Sequence, residues 1–233
     1  MTANIIIPII IVLFFVYFWR KEQQNKQLKY IKNYKFSPVL LKRVQEKHDY
    51  LSPANMKKVE EALRDYFYIC NQAKGKMVAM PSEIVDVAWH EFLLFTREYQ
   101  IFCKKAFGRF LHHTPTEAMK SKFSAQTGIK RAWRLACAKE KIDPQTPKKL
   151  PLIFAIDKQL NIKGGFTYAL NCQSKSSTSS SCGAYCATDI GCTSSCVGAS
   201  GNESSSSDSS GFFSSDSSSS DASGCGGGGC GGE

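Results

Sequence analysis

What this chain of 233 residues lacks divides it before any motif is read. From Asn171 to Glu233 aliphatic side chains are nearly absent, because 22 Ser, 12 Gly and 7 Cys make up 41 of the 63 residues. So little to bury cannot offset the entropy of ordering the chain, so a core is excluded there and a disordered low-complexity tail, residues 171–233, is expected. Acidic residues are also scarce, 20 against 30 Lys and Arg. Residues 1–170 hold 29 basic and 14 acidic residues, a balance of +15, whereas the tail holds one and six, a balance of −5. The overall +10 joins a basic body to a mildly acidic, Cys-bearing tail. Charge alone is the weakest part of a case for nucleic-acid binding, and no recognised module accompanies it, so no nucleic-acid partner is expected.

Long apolar runs are also scarce. Ile5–Trp19, IIIPIIIVLFFVYFW, is fifteen uncharged residues, about 22 Å as a helix and short for a span. Twelve of the fifteen are Ile, Val, Leu or Phe, which together favour insertion by about 4 to 7 kcal/mol. A cleaved signal peptide would need basic residues before the run and small residues after it, and neither is present. A single uncleaved transmembrane helix is therefore expected over residues 1–20, with membrane lipid as its partner. Arg20 at its end, and Lys21, Lys26, Lys29 and Lys32 in a basic juxtamembrane linker, residues 21–35, stand against a single Glu22. The positive-inside rule then places the N-terminus outside and the body in the cytoplasm, at an inner (plasma) membrane. Lys26, Lys29 and Lys32, with Tyr30, Ile31 and Tyr34 between them, either lie on anionic lipid or form a solvated stop-transfer flank.

The body reads as four to five helices, an all-α domain over residues 36–170. Ser37-Pro38 and Ser52-Pro53 are helix starts, a capping residue followed by Pro in the first turn. Met56, Val59, Leu63, Tyr66, Phe67 and Cys70 form one apolar stripe. Ser82 and Glu83 open a long helix whose buried face runs through Val85, Trp89, Phe92, Thr96, Tyr99 and Cys103 to Ala106, with Gly108 as its stop. A fourth stretch carries Met119 and Phe123, is interrupted at Gly128, and resumes through Trp133 and Cys137. Pro151–Asp157 is a short apolar run, a strand or a last helical turn, and Gly164-Gly165 is a turn.

Two runs, VDVAWHEFLLFTREYQIFCKKAFGRFLHHTP from Val85 to Pro115 and LPLIFAIDKQLNIKGGFTY from Leu150 to Tyr168, resemble the bacterial glycine-rich domain-containing proteins. They are also similar to the helical region of plant glycine-rich domain proteins. The resemblance covers about residues 36–170. It implies a helical architecture and supplies no catalytic residues.

Candidate chemistry concentrates around Asp86, Trp89, His90, His112 and His113. His90-Glu91 begins like the helical zinc-protease motif, but position 94 is Leu where a second His is required, which excludes that motif. With the stretch from Ser82 taken as one straight helix ending near Phe107, its end lies about 26 Å from His90, so a shared ion with His112 or His113 is barely reachable. Asp86, one turn before His90, either polarises it as a base or ligand, or simply satisfies a boundary histidine. Trp89 and the aromatics around it form a stacking wall or, by default, core. Cys103 is a thiol nucleophile or a buried inert side chain, and His112-His113 before Thr114-Pro115 cap and turn the chain or serve the site. In the tail, Cys182, Cys186, Cys192 and Cys196 are the candidate ligands of a possible zinc, disulfide partners, or features of a tail without defined chemistry.

The leading expectation is a non-enzymatic single-pass membrane protein presenting a cytoplasmic helical domain to an unknown protein partner, with the tail as a tether. The alternative is a metal- or thiol-dependent enzyme using Asp86, His90 and the His112-His113 turn.

Overall fold

The computed structural model describes residues 3–113, 122–170, 184–187 and 190. The chain divides into two units, Met1–Ser195 and Cys196–Glu233, and the described residues all belong to the first. They form α1 (Ala3–Asn33), α2 (Pro38–Lys47), α3 (Pro53–Gln72), α4 (Glu83–Leu94), α5 (Thr96–Phe107), α6 (Lys122–Glu140), α7 (Leu152–Gln159), and the strands β1 (Thr167–Ala169) and β2 (Ala184–Cys186).

The starts read from the sequence are real caps. Ser37, Ser52 and Ser82 accept from the backbone N–H of Val39, Asn55 and Val85, and Pro38 and Pro53 occupy first-turn positions where no N–H is needed. The body is helical, as expected, but six helices follow α1. The stretch after Ser82 is two helices, and the run at Pro151 is α7. Gly128 does not interrupt α6, which continues through it.

α1 is one helix from Ala3 to Asn33, so the basic stretch 21–35 is largely its second half rather than a separate linker. That half docks on α3 and α5. Ile31 is fully buried, the Tyr30 and Tyr34 rings lie 6.0 and 4.6 Å from Phe102, and Asn71 donates to Gln27 Oε1 at 3.0 Å and to the Ala106 carbonyl at 2.8 Å. The first half is different: the large apolar side chains described between Ile7 and Trp19 are 40 to 67% exposed. Among the described residues no helix is long and apolar enough to cross a membrane.

α3 is the central helix, packed by α1, α4, α6 and α7, while α2 packs on α4. Phe67 of α3 joins Phe92 of α4 and Phe102 of α5 in an aromatic cluster that Phe36 completes. A second cluster sets Trp133 edge-to-face with Phe154 and Phe154 edge-to-face with Tyr168.

The strands correct the expectation of disorder at residues 184–187 and 190 only; the rest of 171–233 lies outside the described residues. β2 pairs with β1 in parallel, Tyr168 opposite Tyr185, and Ala187 and Ile190 are buried. Ala187 and Ile190 supply buried apolar side chains within an otherwise Ser-rich sequence. A parallel pairing also needs a connection of about a dozen residues or more, which the stretch after Ala169 provides.

Candidate metal centre

Asp86 and His90 stand one turn apart on α4, whose first turn is held by an unexpected residue. Asp157 of α7, 3% exposed, accepts from the Ser82 hydroxyl at 2.7 Å and from the N–H groups of Glu83 at 2.7 Å and Ile84 at 3.3 Å. The first-turn amides of α4, which have no partners within the helix, are thereby satisfied from a distant element. Asp157 also accepts from the Phe166 N–H at 2.9 Å. Gly165 makes that approach possible, since a Cβ there would lie 2.8 Å from the Asp157 Cβ. Burial pushes the Asp157 carboxyl above the ordinary carboxylate range, against the pull of these four donors.

The chain after α4 does not run straight. Phe95, at φ −85° and ψ 58°, ends α4 and begins α5, so the expectation of one helix from Ser82 to Ala106 is wrong, and so is the 26 Å separation built on it. α5 ends at Gly108, whose φ of 69° is left-handed backbone that glycine adopts without strain. Trp89 Nε1–H then donates to the Tyr99 hydroxyl at 3.2 Å, and that hydroxyl donates to the Leu111 carbonyl at 2.5 Å. These bonds fix the returning segment against α4, and two residues later it delivers His113.

His113 Nε2 lies 2.9 Å from Asp86 Oδ1, and His90 Nδ1 lies 3.3 Å from Asp86 Oδ2 and 2.9 Å from the Asp86 carbonyl. The imidazole centroids are 4.2 Å apart, and the His113 ring packs edge-on against Trp89 at 4.4 Å. One ligand atom from each of Asp86, His90 and His113 falls within 4.8 Å of the other two. A tetrahedral ion with bonds of about 2.0 to 2.1 Å would set its ligand atoms about 3.3 Å apart, so the imidazole nitrogens that now face the Asp86 oxygens would have to give up those hydrogen bonds and turn a lone pair toward a shared ion. His90 is half-exposed, so an ion held there would be reachable by solvent.

The local charge favours a cation. Glu83, in the same first turn, has its carboxyl pushed up by burial and by the nearby Asp86 and Asp157 carboxylates, with His90 acting the other way. A positive ion held at Asp86 would relieve that repulsion.

The other candidates fall elsewhere. His112 is exposed, packed edge-on against Phe110 at 4.9 Å, and stands outside the trio. Trp89 is buried core and the wall behind His113. Cys103 is 1% exposed and burial pushes its thiol up, which suits an inert side chain and not a nucleophile. Cys182, Cys192 and Cys196 lie outside the described residues, and Cys186 stands in β2. Arg20, Lys21, Lys26, Lys29 and Lys32 are exposed along α1.

Sequence reasoning missed Asp157, hidden in an apolar run, and the role of Glu91. Glu91 is 4% exposed and pairs with Lys47 at 2.6 Å and Arg43 at 3.6 Å, so the glutamate of the His-Glu dipeptide fastens α2 to α4.

No curated protein and no solved structure matches the chain. A family described as UCP032817-like does match, over residues 26–190. The match begins beyond the exposed apolar half of α1, takes in Asp86, His90 and His113 together with the Asp157 that caps α4, and ends where β2 and Ile190 complete the described fold, so the chain belongs to the UCP032817-like family.

Proposed function

We propose that this protein is a membrane-tethered helical domain that holds a divalent transition-metal ion, with zinc as the probe, between Asp86, His90 and His113. The convergence of two imidazoles and a carboxylate within 4.8 Å, from segments 27 residues apart, carries the reading. Imidazole and carboxylate donors suit zinc, iron or manganese, and three protein ligands with open positions are the pattern of a site that also binds water or a small ligand. The test is metal analysis and zinc titration of the purified full-length chain in reducing buffer, beside His113→Ala and a variant with the tail cysteines changed to Ser. Stoichiometric metal that survives loss of the tail cysteines is expected, with affinity falling more than about 100-fold in His113→Ala, beyond what loss of an outer partner costs. Cobalt substitution separates the sites further, because a His and carboxylate site gives no thiolate charge-transfer band. A chain that binds zinc no better than His113→Ala overturns the metal reading and leaves a domain that serves a protein partner.

The tether rests on α1. A row of exposed apolar side chains from Ile7 to Trp19 is costly in water, and Tyr17, Trp19, Arg20 and Lys21 at its end are residues suited to a bilayer interface. A run about 22 Å long is accommodated by local thinning of the bilayer and by snorkelling of the flanking cations. The basic side then faces the cytoplasm. A reporter fused after Glu233 that is active only in the cytoplasm supports this orientation, and one active only outside it reverses it.

A further inference from the structure

A groove of about 1180 Å³ lies between α1 and the ends of α3 and α5. Its α1 wall changes character along its length, from Leu13, Val16 and Tyr17 to Arg20, Lys21 and Lys26. Lys74 after α3, and Lys104, Lys105 and Arg109 at the end of α5, face it. Among the described residues seven cations and no carboxylate line the groove, and one of the seven, Lys26, lies 3.9 Å from the exposed Glu22 carboxylate. The negative ends of helix dipoles account for Lys104 and Lys105 in the last turn of α5 but not for the three cations of α1. Lys105 Nζ lies 5.7 Å over the Tyr30 ring, which steadies that wall against α1.

We infer that this groove binds one anionic glycerophospholipid, with an acyl chain along Leu13, Val16 and Tyr17 and the phosphate among Lys104, Arg109 and the α1 cations. The inference rests on the proposed insertion of α1. A lipid matches the groove because it carries the same division, apolar then anionic, over the same short distance. A free phosphate would leave the apolar wall bare.

The test is co-flotation of the full-length chain with neutral phosphatidylcholine vesicles and with vesicles that also contain phosphatidylglycerol. Wild-type protein is expected on both, with a preference for the anionic ones. Lys104→Gln with Arg109→Gln lowers that preference about five-fold per cation, about 30-fold together, while binding to neutral vesicles is unchanged. Lys29→Gln with Lys32→Gln, on the same helix but outside the groove, costs much less. Equal losses in the two double variants, or displacement by inorganic phosphate at matched ionic strength, overturn the lipid site. Failure of the wild type to float with neutral vesicles overturns the insertion of α1 instead.

Discussion

At the scale of single residues, Asp157 is an acceptor for four donors, two of them on Oδ2. Asparagine there turns an amide NH2 toward at least one backbone N–H and leaves it unpaired. Asp157→Asn is expected to cost about 2 to 4 kcal/mol, read from urea midpoints, and to weaken metal binding by loosening the turn that carries Asp86. Asp65 pairs with Lys139 at 2.7 Å, yet burial pushes its carboxyl above the ordinary 3.8, more than Lys139 pulls it down. A raised folded-state pKa means that the folded chain holds its proton more tightly than the unfolded chain. The stability from that group is present below the ordinary pKa and is lost as pH rises through the folded one. The stability of Asp65→Asn relative to wild type should therefore improve with rising pH above 3.8 in denaturation curves; a flat difference contradicts this. The thiols of Cys70 and Cys137 are pushed up to about 12, and Cys103 is raised, all by burial first. Alkylation at neutral pH should leave these three unlabelled until the chain unfolds, as peptide mapping would show.

At the scale of elements, close approach decides what the pattern cannot. α6 passes so near the 77–79 segment that a Cβ on Gly128 would meet the Met77 Cε at 2.6 Å and the Ala79 backbone nitrogen at 3.0 Å. The methionine end can move; the backbone cannot easily. Gly128→Ala should lower stability by about 1 to 3 kcal/mol despite the better helix propensity of alanine, a result that thermal melts would register. The break at Phe95 has the same character. Phe92, Thr96 and Tyr99 keep a helical spacing through it and no Gly or Pro marks it, so the period conceals the turn. The discrepant sign is Thr96, placed on the buried face by its spacing but exposed in the fold.

At the scale of the whole molecule, Phe102 joins the part of α1 that docks to everything beneath it. Its ring meets Tyr30 of α1, Tyr34 just after it, Phe36, Phe67 of α3, Phe92 of α4 and Phe107. Phe102→Ala is expected to cost about 3 to 5 kcal/mol in denaturant unfolding, and to free α1 to more rapid amide exchange near Tyr30.

The sequence by itself determined the local features: the helix starts at Ser37, Ser52 and Ser82, the buried stripe of α3, the apolar and basic halves of α1, and Asp86 with His90 on one helical face. Each depends on neighbours within a turn or two, which spacing and composition report directly. Only the tertiary structure decided that α4 and α5 part at Phe95, that Tyr99 holds Leu111 so that His113 reaches Asp86, that Asp157 caps a helix 74 residues before it, and that β2 closes on β1. Those outcomes depend on contacts between segments far apart in the chain, whose geometry is set by packing and by the demand that buried polar groups find partners, and neither is written in a local period.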